Sequence, residues 1–103
     1  MTTVRDNLIA ARALIDTPEK WTKNAKARNA AGRSVSPAGG SAVCWCGFGA
    51  LVKVCGPREA ENVAYAAFHG PGNIAGLNDR PETTHSDIMA LFDRAIAAQD
   101  ETP

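Results

Sequence analysis

The sequence predicts a mainly α protein: a small four-helix domain around a central buried helix, with a short β-hairpin between the first and central helices. Three observations lead there. The run CWCGFGALVKVC, Cys44 to Cys55, is the longest apolar stretch, holds all three cysteines and carries Lys53 as its one charge. Three further segments repeat apolar residues at the helical period and are bounded by residues that start or stop helices. A chain of 103 residues with 45% apolar composition suffices for one domain with one modest core.

The first helix is expected from about Thr3 to Asp16. Thr3 and Asp6 have capping-box spacing, with Asp in place of the usual Glu. Val4, Leu8, Ala11 and Ile15 form one stripe, widened by Leu14, while Arg5 and Arg12 face elsewhere. Thr17-Pro18 then restarts the chain, Thr17 as a cap and Pro18 at the first helical position. One short turn is expected there, with Trp21 folding back as a lid on the core.

Thr22 to Gly40 is the least regular part. Asn29-Ala30-Ala31-Gly32 is a turn sequence, and its flanks Lys26-Ala27-Arg28 and Arg33-Ser34-Val35 are expected to pair as the hairpin. Ser36-Pro37-Ala38-Gly39-Gly40 reads as loop.

For the central helix, Ser41 is the expected N-cap and Gly56-Pro57 the stop. Val43, Cys44, Phe48, Leu51, Val52 and Cys55 keep helical spacing, and Cys46, Ala50 and Val54 carry the apolar surface round to another side. A helix apolar on most sides must be covered on most sides. Gly47 and Gly49 oppose it, at roughly 1 kcal/mol each against alanine. A buried strand followed by a turn fits the same periodicity.

A third helix is expected from about Arg58 to His69 on the stripe Ala60, Val63, Ala64, Ala67 and Phe68, ended by Gly70-Pro71. Tyr65 lies off that stripe, a surface aromatic. Gly72 to Thr83 reads as a second irregular stretch. Thr84 with Asp87 starts the last helix, on the stripe Ile88, Leu91, Phe92, Ala95 and Ile96. Asp100 to Pro103 are expected to fray.

Composition and charge narrow the function classes. No run reaches the roughly 18 to 20 consecutive apolar residues of a membrane span. MTTVRDN lacks the basic start and apolar block of a signal peptide. The odd cysteine count does not suit a secreted disulfide framework. The expectation is a cytoplasmic protein with no membrane partner. The formal net charge of zero hides an asymmetry, because no Asp or Glu occurs between Lys20 and Arg58. A segment of that kind can present a local positive face.

Pro18-Glu19-Lys20-Trp21, Cys46-Gly47-Phe48-Gly49-Ala50-Leu51, the Ile74 to Asp79 segment and Leu91-Phe92-Asp93-Arg94-Ala95-Ile96 together resemble an uncharacterised family of bacteria and phages, a domain of unknown function. Its pattern reads Pro-Glu-x-Trp, Cys-x-x-Gly-Ala-Leu, Trp-Asn-Asp and a Thr-initiated last helix. The likeness spans nearly the whole chain. Leu77 stands here where the pattern has tryptophan. The resemblance implies a shared fold and supplies no activity. A host-modulating role is what kinship with phages would imply.

Candidate chemistry follows from the residue types. The first reading is a non-catalytic binding or interaction protein, for an unknown protein or a small anionic ligand such as a phosphate-bearing one. Its contact surface would combine Trp21, Lys23, Lys26 and Arg28 with Asn78, Asp79 and Arg80. The competing structural reading is that Asn78 and Asp79 cap local backbone groups. The second is a thiol-dependent enzyme, with Cys46 near a helix start where the macrodipole lowers a thiol's pKa, and His69 or His85 as base. Against it, free cysteines are among the most buried residue types. The third is a nucleic-acid binder using the basic loop by charge and stacking. No cofactor motif accompanies these residues. Zinc is disfavoured, since on a helix Cys44 and Cys46 point about 200° apart. A homodimer burying Trp45 or Phe48 is a further expectation.

Overall fold

A computed structural model describes residues 3–100. The order is α1 (Val4–Leu14), a 3-10 turn (Pro18–Lys20), β1 (Ala27–Arg28), β2 (Cys44–Trp45), α2 (Gly47–Cys55), α3 (Pro57–Phe68), α4 (Pro71–Asp79) and α5 (His85–Asp100). The protein is mainly α, with five α-helices among the described residues rather than four.

Local signals set the outer helices. Thr3 caps α1 in a full capping box: its hydroxyl accepts from Asp6 N at 3.0 Å and its own N–H donates to the Asp6 carboxylate at 3.2 Å. Leu8, Ala11 and Ile15 on the α1 stripe are buried. The helix ends at Leu14, with Ile15 as C-cap, two residues short of the expected Asp16. Thr84 and Asp87 repeat the box before α5, where Ile88, Phe92 and Ala95 are buried. Beyond the backbone of Asp100, the expected fraying lies outside the described residues. Tyr65 is 65% exposed, as a residue off its helix stripe should be. Thr17 departs from expectation: it makes no cap bond, and its buried hydroxyl has no partner.

Two expectations are corrected and one is qualified. The central helix does not start behind Ser41. Cys44 and Trp45 are extended and pair antiparallel with β1, Ala27 opposite Trp45 and Arg28 opposite Cys44, so the helix begins at Gly47 with Cys46 as its N-cap. The run is a short strand followed by a helix. The expected hairpin forms, but its first flank makes its two-residue ladder with Cys44–Trp45. Its turn exists, with Gly32 at φ 80° and the Asn29 side chain accepting from Ala31 N and Arg33 N. Its flanks pair antiparallel over one bridge, Arg28 with Ser34, closed by Asn29 N–H to Arg33 O at 2.9 Å and Val35 N–H to Ala27 O at 3.0 Å, while the other edge of Arg28 pairs with Cys44. Third, the stretch read as irregular contains α4. Pro71 occupies its first turn, and Ile74 and Asn78 are its buried residues.

α2 lies at the centre, packed on α1, α3 and α4, while α5 closes against α1. Phe92, Leu8, Ile15, Leu51, Ile74, Ile88 and Val63 form the fully buried centre. Each such side chain contributes about 1.5–3 kcal/mol through burial. Phe68 meets Phe92 edge-on, ring centroids 5.4 Å apart. Of the two glycines that oppose α2 in propensity, Gly49 is required by packing and Gly47 sits in a tight fit. A Cβ at Gly49 would overlap the Lys26 carbonyl, and one at Gly47 would press on Ile74 at 3.3 Å. Trp45 and Phe48 are 7% and 8% exposed, packed into the chain's own core.

Candidate functional site

The basic loop and the Asn78–Arg80 segment do meet, by bonding to each other. Asn78 is fully buried. Its Oδ1 accepts the Trp21 indole N–H at 2.7 Å and the Gly47 backbone N–H at 3.0 Å. Its Nδ2 donates to Thr22 O and to the Asp79 carboxylate, both at 3.0 Å. Asp79 also accepts from Asn24 N at 2.9 Å, which holds Asn24 at a positive φ of 64°. Lys23 Nζ donates to Arg80 O at 2.6 Å and lies 5.6 Å from the Trp21 ring centroid. Arg28 commits its guanidinium to Thr22 Oγ1, Gly32 O and Lys23 O at 3.0–3.1 Å.

Five of the seven ligand candidates, Trp21, Lys23, Arg28, Asn78 and Asp79, are thus engaged in internal bonds. A polar group removed from water must be paired, and here each pairs with the others or with backbone. Their arrangement anchors the loop to the ends of α2 and α4. Arg80 is exposed beside this anchor. Lys26 stands apart.

Cys46 sits where a helix dipole would lower its pKa, yet burial pushes the thiol up, outweighing the backbone N–H groups of Gly49 and Phe48 that favour a thiolate. Its sulfur accepts from Gly49 N at 3.2 Å, which caps α2. Neither histidine bonds to it. His85 Nε2 pairs with Ile15 O at 2.7 Å, on the end of α1. His69 is the left-handed C-cap of α3, at φ 65°. The three cysteines are free, and among the described residues no group of His, Cys, Asp or Glu stands where it could hold a metal ion. No helix among those residues is long and apolar enough to cross a membrane.

A separate open space borders α2 and α3. A cleft of about 510 Å³ separates the Ser36–Ala38 loop from α2 and the first turn of α3. Phe48, Val52 and Pro57 give it apolar walls, and Lys26, Arg58 and Glu61 line it with charge. Lys26 is placed by its backbone. Its carbonyl accepts from Cys46 N at 3.0 Å and lies against Gly49, where no Cβ intervenes. From there its ammonium reaches over Phe48, 5.7 Å from the ring centroid. The opposite rim is held by the Trp45 indole, which donates to Pro37 O at 2.9 Å.

Of the residues proposed from sequence, only Lys26 belongs to this cleft. Arg58 was visible as the end of the acid-free segment, and Glu61 as a residue three positions on, off the apolar stripe. Nothing local places Pro37 opposite Phe48. The pattern of one protein family, described as a family of unknown function (DUF6197), matches residues 1–98. No curated protein and no solved structure matches the chain.

Proposed function

We propose, since the chain belongs to this family of unknown function and inherits no activity from it, that it is a non-catalytic small binding protein. Its ligand seat is the cleft between the Ser36–Ala38 loop, α2 and α3, and its ligand is a small anion with an apolar body. The observation carrying this reading is that Lys26 and Arg58 line one cleft over the apolar walls of Phe48 and Val52. Small-molecule sites combine that kind of wall with a few polar groups, in volumes of roughly 300–1,000 Å³. An Arg fork fits carboxylate or phosphate in two bonds, and a Lys adds a mobile point charge.

Binding is favoured over thiol catalysis because the Cys46 sulfur is buried, engaged by Gly49 N and unbonded to either histidine. A cytoplasmic location accompanies this reading, three free thiols being at home in a reducing compartment.

The test is an amide-resolved NMR titration with aromatic carboxylates and phosphate monoesters. Shifts should gather at Lys26, Phe48, Val52 and Arg58 and vanish in Lys26→Ala/Arg58→Ala. Shifts gathering at Trp21–Lys23 and Asn78–Arg80 would move the seat to the packed polar cluster and sink the reading. So would binding indifferent to the double substitution.

A further inference from the structure

Glu61 is the residue of the cleft that a purely anionic ligand does not explain. It stands three positions after Arg58, on the same face of α3, and both line the cleft. That spacing allows an ion pair along the helix. None forms: among the described residues no ion pair joins Glu61 to Arg58 or to Lys26. The cleft therefore presents two cations and one carboxylate with no direct ion pair among them.

Resting on the binding reading above, we propose that the ligand is zwitterionic. It carries a carboxylate or phosphate for Lys26 and Arg58 and an ammonium for Glu61, with an apolar portion against Phe48, Val52 and Pro57. An anion alone would meet repulsion from Glu61. A ligand bearing both charges turns that repulsion into a third attraction, and the two contacts on α3 fix its direction along the helix. Charge-assisted hydrogen bonds are shorter and stronger than neutral ones, and a carboxylate beside an ammonium selects against the ammonium-free analogue.

Three probes of one skeleton separate the contributions: L-phenylalanine, 3-phenylpropanoate, which lacks the ammonium, and phenethylamine, which lacks the carboxylate. Affinities are measured by calorimetry or NMR on the full chain. L-phenylalanine should bind about fivefold or more tighter than either analogue. Glu61→Gln, at an exposed position, should erase its advantage over 3-phenylpropanoate without weakening the latter. Arg58→Ala should weaken both.

Equal binding of L-phenylalanine and 3-phenylpropanoate would overturn the zwitterion inference and leave the anion reading standing. Binding by phosphate monoesters alone would do the same. Tightest binding by phenethylamine would overturn both. Absence of binding by all three probes at millimolar concentration overturns the inference, and the phosphate titration then decides the broader reading separately.

Discussion

Asn78 and Gly47 are joined by a 3.0 Å hydrogen bond from the backbone of α2 to the side-chain oxygen of an α4 residue. The same oxygen takes the Trp21 indole N–H, and the amide nitrogen donates to Thr22 O and Asp79. Two donors converging on one atom also settle which end of the amide is oxygen. Every strong hydrogen-bonding position of the side chain is used, so nothing is left over for a ligand. The cluster works as an anchor: it fixes the first turn of α2 against the loop that leads to Lys26, and Lys26 is where the open cleft begins.

Removing the anchor should be costly. Asn78→Ala strands the Trp21 N–H, the Gly47 N–H and the Thr22 carbonyl at about 1–3 kcal/mol for each buried group left unpaired. A loss of at least ~3 kcal/mol is expected in urea denaturation, a large share of the 5–15 kcal/mol typical of a domain. Asn78→Asp keeps the acceptor but loses the donor, and sets a buried carboxylate beside Asp79. Its folded pKa is then raised, so its deficit should shrink as pH falls toward about 4. A deficit independent of pH would contradict that placement.

The two glycines of α2 should behave differently. Gly49→Ala drives a Cβ into the Lys26 carbonyl, a backbone atom that cannot move without breaking the bond from Cys46 N. It should cost at least ~2 kcal/mol despite the roughly 1 kcal/mol gained in helix propensity. Gly47→Ala meets the buried Ile74 side chain at 3.3 Å and the Phe92 ring at 3.4 Å, a crowding of a few tenths of an ångström rather than an overlap with backbone. Its net effect should lie within about 1 kcal/mol of zero, propensity offsetting crowding. Comparable losses in the two variants would show that Lys26 does not press on Gly49.

These relationships explain what could be read from the chain. Thr3 with Asp6 and Thr84 with Asp87 were legible because a capping box closes over three residues. The stripes of α1, α3 and α5 were legible because each buries one face. α4 was not, since Gly72 and Gly76 depress its propensity and only Ile74 and Asn78 mark its inner side. Asn78 invited a local reading, yet three of its partners lie 31, 56 and 57 residues away. The start of α2 was misplaced for the same reason: strand pairing with Ala27–Arg28 claims Cys44 and Trp45. Lys26 was legible as a cation, but the wall it faces was not.

Acid should weaken the start of α5. The Thr84 backbone N–H, then its side chain, holds the Asp87 carboxyl below its ordinary value. A lowered folded pKa means stabilisation fully present above the unfolded value, about 3.9, and lost as pH falls through the folded one. Asp87→Asn should flatten the acid limb of the stability curve below about pH 4. An unchanged limb in that variant would mean the cap contributes nothing to acid unfolding.

Alkali should act through the thiols. Burial raises the Cys46 thiol, and burial with the nearby Glu59 carboxylate raises Cys55, which also donates to Leu51 O at 3.1 Å. The folded state therefore keeps protons that the unfolded chain releases near pH 8.5, and stability should fall as pH rises above that value. Labelling with a thiol reagent should reach half-exposed Cys44 and Cys55 first, and Cys46 only at the rate of opening or unfolding. Cys46→Ser keeps an acceptor for Gly49 N and removes one titrating group, so its alkaline slope should be shallower. Rapid labelling of Cys46 in the native protein, with a midpoint below about 8.5, would reverse this account and make the thiol a reactive group again.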